Sequence, residues 1–596
     1  MRLYKKFALR KGTRPCNSST PSWLYQITNN LCVSWLRRQK RKLKSLDALT
    51  NIDSRYNSLT PEQILEQKES SECIVRAVSA LPERSRQVFI LYLEGFSYRE
   101  IATSLDVPTS TVSGRLQTAK KQLKSSISED VPFSAVPGPL RIAMEKLRKD
   151  GFTMEEILKK HPLRRHIYGI SNKYEVRWES DNGKSLSPQE VVRDLFGEVI
   201  SRRVYPDLFL ENGARLHSED SGFVQYATPE CDDILQLIAH EKAGERILER
   251  LSLSAEAKAN REGFKGRMAV SKLSDESSEN YLLSKHVKPA QLRNRLIPFL
   301  VTRQIFAGAG AIILKSDSPY HISRRANQIK VDISTSARDG IVRIPDNPHA
   351  DKERYQRLQA LIGDANMSEW TSYLKIGATS LLIQMLEDDF IPNDFALHDP
   401  IMALQQIAVD IECAGKIELS SGKQLTAIEI QREYLRLAKS YFESSWRGVE
   451  DVLAKWEYAL DCLENDPMQL DGEVDWVIKK RLLETYRDKR NLEWHSPEIS
   501  AMDLGYHNIR RAEGLYYDLE EKGKVKRLLT DERVGTSIHE PPQTTRAKFR
   551  GNYVKLANEK KILCGVNWSY IQIYEPEQKL FSSADPLAPD YVEFYD

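Results

Sequence analysis

Between Glu72 and Ile127 the chain is punctuated so closely by Pro82, Gly95 and Pro108 that only short helices fit, none able to bury a core alone. The pattern predicts helices over 73–79, from Pro82 to Tyr92, over 98–105 and over 110–123. Pro82 sits where a first-turn proline is tolerated and Gly95 where a glycine ends a helix. The turn Asp106-Val107-Pro108, with Thr109 or Ser110 as N-cap, joins the last two helices at an angle, and Ile101, Ala102, Leu105, Val112 and Leu116 supply their shared core. This is a helix-turn-helix. In such a unit the start of the second helix enters the major groove, so Thr109, Ser110, Thr111, Ser113 and Arg115 are the candidate DNA-facing residues, with Lys120, Lys121 and Lys124 along the backbone.

Charge supports that reading. The net charge of +3 is the residue of an asymmetry: residues 1–127 hold 22 Lys and Arg against 10 Asp and Glu, and residues 128–596 hold 65 against 74. Met1 to Lys44 carries 12 basic residues and no acidic one, a density suited to neutralising phosphates. Trp23, Leu24, Tyr25, Ile27, Leu31, Trp35 and Leu36 recur there at helical spacing ahead of Arg37-Arg38-Gln39-Lys40-Arg41-Lys42, so we expect a packed helix with a basic, DNA-binding end that includes Arg37 and Arg38. The run LPERSRQVFILYLEGFSYREIATSLDVPTSTVSGRLQTAKKQL resembles region 4 of the sigma-70 family, most closely its extracytoplasmic-function subgroup, and PSWLYQITNNLCVSWLRRQKRK resembles the end of region 2. That resemblance implies promoter DNA and core RNA polymerase as partners.

Glu129 to Pro139 then reads as a Pro- and Gly-containing spacer and 141–160 as a short amphipathic helix. From Arg164 the pattern is mixed: strand-like runs (166–176, 208–216, 311–314, 341–344) alternate with helical ones (187–202, 232–251), helices dominate 427–466 and 475–490, and short strands and loops are expected from 530 to the end. The expected organisation is multidomain: a partial region-2-like segment (1–58), an all-α helix-turn-helix domain (59–128), a linker and short helix (129–160), an α+β domain (161–525) and a small C-terminal domain (526–596). No apolar run approaches the length of a membrane helix, and the seven cysteines never stand in CxxC spacing, so we expect a reduced cytoplasmic, nucleoid-associated protein with no membrane partner.

FLENGARL, YATPECDD, IPFLVTRQIFAGAG, NPHADKERYQRL, GDANMSEWTSYLKIGATSL, VDWVIKK and PPQTTRAKFRG, spread from Arg164 to about Asp585, resemble the Pup ligase and depupylase family, and VDWVIKK and DLGYHNIRRAEGLY its ligase branch. The resemblance implies a glutamine-synthetase-like fold, a curved antiparallel sheet that holds ATP and Mg²⁺ while the C-terminal glutamate of Pup is phosphorylated and passed to a lysine. It also implies where the chemistry sits. The family's Gly-Ile-Glu-Thr-Glu strand is Gly169-Ile170-Ser171-Asn172-Lys173 here, its metal-binding tyrosine is His217, its catalytic-base aspartate is Glu219, and a further metal-binding glutamate is Gln225. The loop ahead of Glu279-Asn280-Tyr281 is shortened to Lys272–Ser278, a remodelled surface near the site. Arg215, Thr228 and Trp568 fall on nucleotide-contacting positions, and His349, Asp364, Asn366, Glu369, Arg546 and Arg550 lie inside retained motifs.

Two functions from different classes lead, beside a third in which the body is a scaffold that binds Pup ligase substrates or partners and the DNA-binding head is secondary. One is a transcription regulator whose ligase-like body is catalytically degenerate and binds a nucleotide, Pup or a pupylated protein. The other is an active ATP-dependent ligase tethered to DNA or RNA polymerase. With Ser171, His217 and Gln225 at the metal positions, Mg²⁺ lacks the carboxylates it requires, which favours the first. Glu175 or Glu179 could replace them only by a register shift in the strand.

Overall fold

The computed structural model describes residues 163–596 apart from 198–206, 219–221, 315, 317, 335–337, 443–446, 576 and 595–596, together with Val88 and Thr111. The chain divides into two units, Met1–Lys160 and His161–Asp596. In the first, Val88 is helical and buried and Thr111 is helical. Arg37, Arg38, Thr109, Ser110, Ser113, Arg115 and Lys120 lie outside the described residues, as does Glu219.

The second unit is built on an eight-stranded sheet. Its strands are β1 (Tyr168–Ser180), β2 (Asp207–Phe209), β3 (Arg215–Ser218), β4 (Phe223–Ala227), β5 (Gly266–Ser284), β8 (Val331–Ser334), β9 (Gly340–Arg343) and β10 (Tyr355–Ala360), in the order β2-β3-β4-β1-β5-β10-β9-β8. A two-stranded pair, β6 (Ala311–Ile312) and β7 (Tyr320–His321), and a second, β11 (Lys416–Glu418) and β12 (Gln424–Thr426), stand apart from it. The expected wholly antiparallel sheet is corrected in one place: β8 and β9 pair in parallel, so the sheet is mixed.

Alternation sets the two faces of β1. Tyr168, Ile170, Asn172, Tyr174 and Val176 are buried beneath the helices, while Gly169, Ser171 and Lys173 point the other way. On the helical side lie α1 (Pro188–Phe196), α2 (Ile234–Arg261) and α3 (Glu369–Glu387), the last buried along almost its whole length. Gly244 lets α2 settle onto the sheet, since a Cβ there would stand 2.4 Å from the Tyr226 ring. Three further helices, α4 (Ala427–Tyr441), α5 (Arg447–Asn465) and α6 (Asp475–Arg490), pack Tyr434, Trp456 and Trp476 into the same large core.

Several expected boundaries change for physical reasons. The run 208–216 is a hairpin, because Gly213 at φ +78° turns the chain between β2 and β3. The helix expected over 232–251 runs ten residues further, to Arg261. The supposed surface loop Lys272–Ser278 is strand: β5 continues through it, but where β1 advances two residues (Asn172 to Tyr174) β5 advances five (Ser277 to Lys272), leaving a bulge at 273–276. Lys272 is fully buried under the sheet, where its ammonium meets Glu241 and Glu245, each at 2.9 Å. The C-terminal part opens with helices α7 (Asp531–His539) and α8 (Ala547–Lys560) before the four-stranded sheet β13 (Leu563–Val566), β14 (Tyr570–Glu575), β15 (Lys579–Ser582) and β16 (Val592–Phe594). The described cysteines, Cys231, Cys413, Cys462 and Cys564, are buried free thiols.

Candidate active site

The open face of the sheet and the C-terminal segment enclose a cavity of about 300 Å³, the lower end of the range for small-molecule sites. Its floor follows the strand register. Arg215, Ala227, Ser171 and Ser278 stand side by side across β3, β4, β1 and β5. One rung along β5 from Ser278, Asn280, Gln359 and Arg343 stand side by side across β5, β10 and β9, with Arg357 two residues from Gln359 on the same face. The next rung on the other side carries His217, Gln225 and Lys173. Backbone pairing therefore brings all three implied metal positions onto adjacent rungs, and puts Lys173 beside them.

The three implied nucleotide positions also converge, since Arg215, Thr228 and Trp568 all line the cavity. Thr228 Oγ1 accepts from the Ile170 amide at 3.0 Å, which fixes the end of β4 against β1. The Arg215 guanidinium donates to Asp207 at 3.3 Å and to the Gln225 side-chain oxygen at 3.2 Å, and lies 5.8 Å from the Trp568 ring centroid. Gln225 thus serves as an arginine acceptor. Asp207, absent from the sequence reading, also takes a hydrogen bond from His217 at 2.7 Å.

Trp568 comes from the turn between β13 and β14, and a buried ion cluster holds it in place. Glu230 accepts from Arg546 Nε at 2.8 Å and from Arg550, which also donates to the Gly213 carbonyl at 2.9 Å and to the Trp568 carbonyl at 3.0 Å. Burial alone would raise the Glu230 carboxyl, but Arg550 and Arg546 outweigh it and hold the group at about 2. Arg546 reaches the cavity, whereas Arg550 serves to dock α8.

Sequence reasoning missed most of the cavity's charge. Arg325, Arg338, Arg343 and Arg357 line it together with Arg215, Arg546 and His349. Burial, then Arg343 and Arg215, pull Arg357 down to about 10, and burial followed by Arg357 and Arg546 takes His349 down to about 4. The Nε atoms of Arg215, Arg343 and Arg357 are all buried without a hydrogen-bond partner among the described residues. For Arg343 and Arg357 the available signal is alternation, since in IVRIP and YQRLQALIG each arginine occupies the polar phase of a strand; Arg325 and Arg338 lie outside strands and have no such signal.

The carboxylates of the lining are committed elsewhere. Glu230 serves Arg546 and Arg550, and Glu276, carried on the β5 bulge, pairs with Arg338 at 2.8 Å. Glu175 and Glu179 do not line the cavity; Arg177 engages both, and Arg267 also engages Glu179 at 2.7 Å. Among the described residues no three His, Cys, Asp or Glu side chains gather as a metal set. Other retained residues are structural. Asp364 accepts from the Ala309 amide at 2.8 Å, Asn366 binds Lys375 Nζ at 2.6 Å, and Glu369 takes the Leu528 and Leu529 amides.

Residues 152–572 match the family model of Pup-ligase proteins. The chain belongs to the Pup ligase family. It is 41% identical over 441 residues to the Pup--protein ligase of Acidimicrobium ferrooxidans, covering 72% of this chain and 97% of that protein. Over 439 residues it is 40% identical to the Pup--protein ligase of Kineococcus radiotolerans, covering 71% and 96%. Among solved structures it resembles a complex between the prokaryotic ubiquitin-like protein Pup and its ligase PafA, at 32% identity and TM-score 0.67 over 71% of this chain and 89% of that one. It also resembles the Pup ligase PafA in complex with ADP, at 31% identity and TM-score 0.60 over 69% and 94%. Residues 71–123 match the model of sigma-70 region 4. No helix among the described residues is long and apolar enough to cross a membrane.

Proposed function

We propose that this chain is a transcription regulator in which the region-4-like segment binds promoter DNA and core RNA polymerase, while the ligase-like body binds a nucleotide or Pup and does not ligate. The observation that carries this is the chemistry of the metal positions. Moving a phosphoryl group between anions requires Mg²⁺ held by hard anionic oxygens. Ser171 and Gln225 bring no charge, Lys173 brings the wrong sign, and the carboxylates of the lining are bound by arginines. These residues do not fit Mg²⁺. They do fit a nucleotide, with guanidiniums for phosphates and the Trp568 face for a base. A PafA relative has been captured with ADP and another with Pup, which supports both as ligands of this body.

The test is to incubate the full chain with ATP, Mg²⁺ and Pup and to follow ADP release and isopeptide conjugates by mass spectrometry. Neither is expected above background. Sustained ADP release with conjugate formation would overturn the proposal in favour of an active ligase using Glu219 as base. Gel shift of a promoter fragment, with and without ATP or Pup, tests the coupling, because a ligand alters DNA affinity only if it binds the two states unequally.

A further inference from the structure

We propose that Arg215, Arg343 and Arg357 hold the polyphosphate tail of a nucleotide directly, without a divalent cation. This rests on the nucleotide-binding reading above and goes beyond it by specifying the ionic form that is bound. Arg343 and Arg357, on the adjoining strands β9 and β10, and Arg215, on β3 across the same sheet, line a single cavity, and each has a buried Nε–H that finds no acceptor among the described residues. Buried cations facing one another are unfavourable unless an anion is present; Arg357 is lowered first by its burial and then by Arg343 and Arg215. Arg215 is only partly satisfied, by Asp207 and Gln225, and no ion pair is formed by Arg343 or Arg357 among the described residues.

The cavity thus offers planar, multidentate donors with open valences, the donor type suited to phosphate oxygens. Lys173, on the rung of His217 and Gln225, adds a positive charge on the side where a metal would need carboxylates; its ammonium also stands 4.6 Å from the Phe223 ring centroid. Free ATP carries two more negative charges than its magnesium complex, so a lining in which arginines outnumber carboxylates favours the free form. Magnesium then competes with the protein for the phosphates.

Isothermal titration of the full chain with ATP in EDTA and in excess Mg²⁺, together with inorganic tripolyphosphate as a probe of the tail alone, tests this. The expected results are binding in EDTA at least as tight as in Mg²⁺, and displacement of ATP by tripolyphosphate. Arg357→Gln and Arg343→Gln should each weaken binding about 10-fold or more, the worth of a charge-assisted hydrogen bond. The triple change S171E/K173E/Q225E, which leaves the guanidiniums in place, should abolish binding in EDTA and make it Mg²⁺-dependent. Circular dichroism melts of each variant guard against a folding defect.

Binding that requires Mg²⁺ in the unmodified chain would overturn this inference while leaving the non-ligating regulator intact. Absence of any ATP or tripolyphosphate binding would overturn it too, leaving Pup as the signal. Pup-stimulated ADP release would overturn both.

Discussion

Replacing Glu230 by Gln isolates the cluster that joins the C-terminal segment to the sheet. The carboxylate is 8% exposed and is shared by Arg546 (2%) and Arg550 (0%). Its value of about 2 lies about two units below an ordinary glutamate, and at roughly 1.4 kcal/mol per unit this corresponds to about 3 kcal/mol. Breaking a buried pair from one side costs roughly 3–5 kcal/mol, since the remaining guanidiniums lose their counter-charge. The two routes agree on a loss of about 3–5 kcal/mol, read as a lower urea midpoint of the ligase-like body.

The sign of the pH dependence follows from the depressed value. The carboxylate's contribution is complete above the unfolded value near pH ~4.3 and is lost as pH falls through about 2. The gap between the parent chain and E230Q should therefore be flat from about pH 5 to 8 and close below about pH 4. A control in which Glu230, Arg546 and Arg550 become Gln, Met and Met should recover much of the loss, because a missing network costs less than half of one. A difference under ~1 kcal/mol at pH 7, of the size of an exposed pair, or one that vanishes between pH 5 and 8, would refute the reasoning.

Other perturbations have equally direct readouts. Gly213→Ala should destabilise by roughly 1–3 kcal/mol in chemical denaturation, since the position has φ +78° and a Cβ would approach the Ala547 carbonyl to 3.1 Å. Lys272→Met should cost about 3–5 kcal/mol by stranding Glu241 and Glu245, and adding Glu241→Gln should return part of it in the same melt. His349, held down to about 4, should show no imidazole titration between pH 5 and 8 by NMR; a midpoint near 6.5 would contradict its burial beside Arg357 and Arg546. In promoter binding, Arg115→Ala should relax sequence preference, whereas Lys120→Ala should weaken all sequences alike and lower the salt slope by about 1.

How legible these features were depends on where their cause lies. Asp475–Arg490 was readable to the residue because its start and end are local: Asp475 in the first turn, basic residues in the last, and Asn491 in the left-handed conformation behind them. Motifs single out Ser171, His217, Gln225, Arg215, Thr228 and Trp568; strand register places the first four on one face, whereas Trp568 reaches the cavity from the turn after β13 through the Glu230 cluster. The run SKLSDESSE in β5 was not readable as strand. Its polar residues contradict strand propensity, and only pairing with β1 and the Glu241–Glu245 cage around Lys272 override it. For Arg343 and Arg357 alternation signals only a polar strand face; their convergence is a property of β9 lying beside β10.

The placement of Trp568 and Arg546 also has a consequence in time. The cavity's floor begins at Ile167, yet one wall is supplied by residues near the far end of the chain. At about 5–20 residues per second of synthesis, the segment matched by sigma-70 region 4 leaves the ribosome some 20 to 90 s before Trp568 is added. During that interval a nascent chain has its region-4-like segment and no completed cavity, so under the proposed function any control by a ligand of that cavity begins only once translation is nearly finished.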